Sequence, residues 1–153
     1  GFSTLVDGFA VAEYIKKNNS QAFESLTTTN LRYQFQDKDI VLENWGELIE
    51  LDKDGDYKQV RYSTRVDYVP PLETEKLKIF YQSRKLLSEL YCSSEFELRF
   101  KLQPGDIMMF DNHRLLHGRT AYDANEGMRH LQGCYLEFDA TDGKLRHLAR
   151  KFK

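Results

Sequence analysis

Hydrophobic and polar positions alternate along much of this chain, and the alternation is broken by three stretches of helical spacing. Thr4–Asp7 reads as a short strand, and Asp7 stands where it can cap a helix over Gly8–Asn18. Ser20 is placed to cap a second short helix running to Leu26. Alternation then returns in LRYQFQ (Leu31–Gln36), IVLEN (Ile40–Asn44), ELIELD (Glu47–Asp52) and YKQVRY (Tyr57–Tyr62), which predict strands. Asp52–Asp56 (DKDGD) predicts a hairpin turn, because Asp-Gly supplies the positive φ that a tight turn needs.

Pro70-Pro71 closes that block. The longest helical pattern follows, over about Glu73–Cys92, with Leu77, Phe80, Tyr81, Leu87, Leu90 and Tyr91 near one face. Phe96–Leu102, Asp106–Phe110 and Arg129–Phe138 predict three more strands, and a short basic helix is expected around Gly143–Phe152. Neither a repeat nor a low-complexity linker is visible. The pattern predicts one domain over residues 1–153, an α+β fold that is mainly β, as an antiparallel sandwich or open barrel with one long helix on a face.

Composition narrows the function classes. Hydrophobic residues make up 41% and charged residues 30%, the balance of a globular chain that can bury a core. The net charge of −2 leaves no basic excess to neutralise phosphates, which argues against nucleic acid or an anionic membrane as main partner. No apolar run approaches the ~20 residues that span a bilayer. Cys92 and Cys134 do not make a disulfide framework, and point to a reducing, cytoplasmic setting.

The candidate chemistry lies in FDNHRLLHGRTAYD (Phe110–Asp123), which holds His113 and His117. Four residues apart, they would share a face of a helix, but protein zinc sites need three or four ligands, and Asn112 and Gly118 favour a turn. His117 is the stronger candidate. In an extended Arg129–Phe138 segment, Arg129, Leu131, Gly133 and Tyr135 share one face. An arginine entering a sheet interior needs an anion, and its fork matches a carboxylate. Two outcomes stay open on spacing alone: a bound ligand, or an internal ion pair beside a core tyrosine.

PGDIMMFDNHRLLHGRTAYD followed by MRHLQGCYLEFD resembles the C-terminal half of the γ-butyrobetaine hydroxylase and trimethyllysine dioxygenase group, within the taurine dioxygenase-like Fe(II)/2-oxoglutarate oxygenases. STLVDGF also resembles a family segment, so the likeness covers nearly the whole chain. It implies a double-stranded β-helix, a jelly-roll barrel of cupin type. It implies iron held by a His-x-Asp/Glu pair and a late histidine, with 2-oxoglutarate as co-substrate and ascorbate as a stimulant. The late histidine, a metal ligand and catalytic residue, matches His117; the arginine that holds 2-oxoglutarate matches Arg129, with Thr4 as a further contact. Tyr135 matches one wall of an aromatic cage for a trimethylammonium head. The implied activity is hydroxylation of a small substrate, with a homo-oligomer expected because unpaired sheet edges favour association.

Three departures from the family pattern are legible. His113 replaces the usual tryptophan, and YSTRVD (Tyr62–Asp67) replaces an asparagine-rich segment near the substrate. His-x-Asp and His-x-Glu occur nowhere in the 153 residues. The resemblance therefore places the first two metal ligands before Gly1, and the chain reads as the C-terminal part of an oxygenase, inactive alone. The competing reading is a non-catalytic β-barrel module that uses Arg129 to hold an anion without metal.

Overall fold

The computed structural model describes residues 1–122 and 130–152. Two compact units divide the chain, Gly1–Tyr122 and Asp123–Lys153. The first unit contains strands β1 (Ser3–Asp7), β2 (Leu31–Gln36), β3 (Val41–Gly46), β4 (Ile49–Leu51), β5 (Tyr57–Val60), β6 (Asp67–Tyr68), β7 (Glu97–Phe100) and β8 (Leu115–Arg119). Its helices are α1 (Gly8–Asn18), α2 (Ser20–Thr28) and α3 (Thr74–Tyr91). The described strands form three small antiparallel sheets, ordered β7-β1-β8, β3-β2-β6 and β4-β5.

The helices exist because each has an apolar stripe to bury. From α1 come Val11, Ala12 and Ile15, from α2 Ala22 and Leu26, and from α3 Phe80, Leu87 and Tyr91. They meet Val6, Leu31, Leu48, Ile49 and Val60 in one core. Each large side chain sealed there contributes about 1.5–3 kcal/mol relative to an exposed one. Tyr81, expected on the same stripe as Phe80, is instead exposed. The buried face of α3 runs through Phe80, Ser83, Leu87 and Tyr91, spaced three, four and four residues apart, so position 81 turns outward.

Capping follows chemistry with one shift. The Asp7 carboxylate accepts from the Phe9 and Ala10 amides at 3.0 and 3.3 Å and starts α1. The second cap is Asn19 rather than Ser20, since its side-chain oxygen accepts from the Ala22 amide at 3.0 Å. The hairpin turn is as expected, with Gly55 at φ +86°.

Asp7 does more than cap. Arg114, just before β8, grips its carboxylate with Nε at 3.1 Å from both oxygens and Nη2 at 2.6 Å. The Gly8 amide donates to the Arg114 carbonyl at 3.0 Å, and the Val60 amide donates to the His113 carbonyl at 2.8 Å. This close approach needs glycine: a Cβ at position 8 would run into Val60 Cγ2 and lie 2.9 Å from the Arg114 carbonyl oxygen.

Two expected strands are absent. Residues 106–110 form no strand: Asp106 closes a turn on Gln103, Gly105 sits at φ +93°, and Ile107 and Met109 are exposed. The turn at Gln103–Asp106 and the outward Ile107 and Met109 take the segment out of pairing, and a strand needs a hydrogen-bonding partner. In the second unit, residues 130–137 form no strand either, and a helix, α4 (Phe138–Lys151), begins five residues earlier than expected. Alternation is a propensity that becomes a strand only with a partner to hydrogen-bond. Asp139 in the first turn and Arg150 and Lys151 in the last suit the α4 dipole.

Among the described residues no helix is long and apolar enough to cross a membrane. Three predictions follow from the packing. Hydrogen bonding by Arg114 is the first cause that holds the Asp7 carboxyl below its ordinary value of 3.8. A depressed carboxyl stabilises the fold fully above its unfolded pKa and loses that contribution as pH falls through the folded one. Asp7→Asn keeps a capping oxygen but removes the charge. It should cost up to about 1 kcal/mol near neutral pH, and urea melts should show this gap closing as pH falls below the ordinary carboxyl value. Gly8→Ala should destabilise by about 1–3 kcal/mol in the same melts. Among the described residues the buried Tyr91 hydroxyl has no hydrogen-bond partner, so Tyr91→Phe should leave the midpoint unchanged or raise it.

Candidate functional site

His117 is the middle residue of β8 and pairs with Leu5 of β1. It is exposed, and its ring lies against Phe110 with centroids 4.9 Å apart. His113 lies on a different element. Residues 112–114 form a turn in which the Asp111 carboxylate accepts from the His113 amide at 2.8 Å, and the Asp111 carbonyl accepts from Leu115 at 2.9 Å. A turn followed by a strand cannot present positions i and i+4 as one helical face, which removes the geometric basis for a two-histidine site.

Thr4 pairs with Gly118, one step along the ladder from the Leu5–His117 pair. Its hydroxyl covers the space over the glycine, and a Cβ at position 118 would lie 2.9 Å from Thr4 Oγ1. Residues opposite each other in an antiparallel pair share a face, and successive residues alternate. Thr4 and Gly118 therefore face the side of the sheet that carries buried Val6, while Leu5 and His117 face the other. The structure brings Thr4 and His117 to neighbouring backbone positions and directs their side chains oppositely.

His117 lines a cleft of about 360 Å³ together with Asn112, Leu115 and Leu116 on one side and Tyr33, Asn44 and the Gln59–Ser63 segment on the other. Two arginines govern its electrostatics, and both are committed. Arg61 donates from Nη2 to Glu50 at 2.5 Å and to Gln59 Oε1 at 2.9 Å, and from Nη1 to the Glu47 carbonyl at 3.2 Å. Gly46 makes room for that guanidinium, since a Cβ there would lie 2.9 Å from Nη1. Glu50 also accepts from Lys58, the first cause of a carboxyl held below its ordinary value, with Arg61 adding to the effect. Arg84 of α3 pairs ionically with Asp67 at 2.6 Å and donates to the Ser63 carbonyl at 2.7 Å. The Tyr33 hydroxyl is sealed without a hydrogen-bond partner, and desolvation pushes its phenol above the usual range. The resemblance had placed YSTRVD, with Tyr62 and Ser63, near the substrate; Tyr33 and Arg61 carry no motif, and only packing brings them opposite His117.

The remaining predicted residues fall elsewhere. Arg129 lies outside the described residues. Tyr135 belongs to the second unit, is 90% exposed, and lines a shallow cleft with Leu136, Ala140, Lys144, Leu145 and Leu148 along α4. Among the described residues no three histidine, cysteine or acidic side chains converge to hold a metal. A single imidazole does not fit an iron centre, for which two histidines and a carboxylate are the usual set.

Comparison with known proteins supplies the context for these residues. The taurine catabolism dioxygenase TauD, TfdA family matches residues 1–135. The gamma-butyrobetaine dioxygenase of Homo sapiens is 37% identical over 99% of this chain and 40% of its own length. That of Pseudomonas sp. (strain AK-1) is 28% identical over 98% of the chain and 39% of its length. The trimethyllysine dioxygenase of Meyerozyma guilliermondii is 31% identical over 97% of the chain and 38% of its length. The chain thus spans about two fifths of the length of these relatives. The match takes in β1, the cleft-lining segments and β8 with His117. On that coverage the chain belongs to the taurine catabolism dioxygenase TauD, TfdA family.

Proposed function

We propose that this chain is the C-terminal part of the catalytic domain of an Fe(II)- and 2-oxoglutarate-dependent dioxygenase, built as a double-stranded β-helix. The observation that carries the reading is the family match over residues 1–135, which contains His117 on β8 at the mouth of a polar cleft. In this reading His117 supplies one metal ligand, Arg129 holds 2-oxoglutarate and Tyr135 stands against a cationic substrate head, while Thr4, whose side chain leaves the opposite face of the sheet from His117, drops out of the site. Ascorbate is a stimulant. The substrate is a small molecule with a trimethylammonium group, in keeping with relatives named for gamma-butyrobetaine and trimethyllysine. The metal and co-substrate supply oxidation of an unactivated C–H bond, and the protein's part is to position the substrate and exclude water. The working assembly is a single-domain homo-oligomer in the cytoplasm.

The chain's own residues set a limit on what it does alone. One candidate ligand gives weak iron affinity, so the 153-residue polypeptide is expected to hydroxylate nothing by itself. The testing experiment titrates the purified chain with Fe(II), with and without 2-oxoglutarate. Weak binding that 2-oxoglutarate strengthens and His117→Ala removes is the expected result. Tight binding at one iron per chain would overturn the predicted inactivity. Carboxylate binding that ignores Fe(II), survives His117→Ala and is lost in Arg129→Ala would favour an anion-binding module instead.

A further inference from the structure

Opposite His117, strands carry Tyr33, Asn44, Gln59 and Val60 of the cleft wall, but not its Arg61–Ser63 part. Between β5 and β6 the chain runs through Arg61–Val66 without strand structure, yet Tyr62 and Ser63 line the cleft. Backbone bonds anchor its two ends, the Arg61 amide to the Leu48 carbonyl and the Gln34 amide to the Val66 carbonyl, each at 2.8 Å, and among the described residues its one internal side-chain bond is the Arg65 amide donating to Ser63 Oγ at 3.2 Å. Its shape between those ends must come from elsewhere.

Arg84 supplies it from the middle of α3. Its Nη2 donates to the Ser63 carbonyl at 2.7 Å and pairs ionically with Asp67 Oδ2 at 2.6 Å, and its guanidinium carbon lies 5.7 Å from the centre of the Tyr62 ring. One planar group therefore touches both ends of the segment and the aromatic residue between it and the core. The Asp67 side chain is 2% exposed and that of Arg84 16%, so water does not compete for the pair. Tyr62 in turn packs edge-on against buried Tyr91, with centroids 5.4 Å apart. Both oxygens are met by the one nitrogen, so what a lysine would lack is the planar guanidinium that lies against the Tyr62 ring.

We propose that Arg84 is a positioning residue for the cleft: it fixes Tyr62 and Ser63 opposite His117 by tying Ser63 and Asp67 to α3. The inference rests on the cleft being the ligand site of the proposed function, but its test needs no metal and no turnover.

The test compares wild type with Arg84→Lys and with the charge-balanced double variant Asp67→Asn/Arg84→Gln, which removes the pair without leaving one buried charge alone. Amide hydrogen exchange is measured across Ser63–Asp67 and across α1, and the imidazole resonance of His117 is followed by NMR. Exchange over Ser63–Asp67 should quicken by about tenfold or more in both variants while α1 keeps its wild-type protection, and the His117 resonance should move. Unchanged exchange over Ser63–Asp67 would overturn the proposal, as would an equal rise throughout the chain. Local quickening with an unmoved His117 resonance would reduce Arg84 to a structural tie and also overturn it. If the variants behave as expected while wild type shows no His117-dependent Fe(II) binding, the positioning role stands and the dioxygenase reading falls.

Discussion

The first unit depends on the junction between β1 and α1. β1 is paired on both sides by segments more than ninety residues away in sequence, β7 and β8. Closing such loops costs chain entropy before any contact repays it. The repayment is concentrated at Asp7, which ends the strand, caps the helix and receives the fork of Arg114. Gly8 then lets the helix start and the turn before β8 approach closely enough to share a backbone hydrogen bond. Position and charge at two adjacent residues thus set where His117 sits relative to the core.

The cleft beside His117 shows how charge is handled in this fold. Arg61 and Arg84 are each satisfied by a carboxylate and at least one further oxygen. Such sheltered pairs add little net stability, because desolvation offsets attraction, but breaking one leaves a costly unpaired charge. They are better understood as fixing geometry. The wall they hold offers hydroxyls, amides and aromatic rings across the cleft from the His117 imidazole.

Local signals were legible in proportion to how local their physics is. The α1 bounds, the β2 bounds and the DKDGD turn follow from a cap, an alternation and a glycine, each decided within a few residues. Asn19 displaced Ser20 as cap because both are competent side chains and only the backbone path selects between them. Residues 106–110 and 130–137 carry good strand alternation, yet the strands are not there, since a strand is a property of two segments and not of one. β6 is two residues long and exists through its pairing with β2, so nothing in its own sequence announced it.

The candidate site divides in the same way. The sequence by itself carried the family pattern, the ranking of His117 above His113 as a candidate, and the lack of any His-x-Asp or His-x-Glu in these 153 residues. Those are statements about residue identity and spacing, which a chain carries whether or not it is folded. Tertiary structure alone decided that Thr4 and His117 lie one rung apart but face opposite ways, because a one-residue step in register reverses a side chain. It alone placed Tyr33, Arg61 and Ser63 across a cleft from His117, and Arg84 behind them, because burial and ion pairing join segments that share no pattern along the chain.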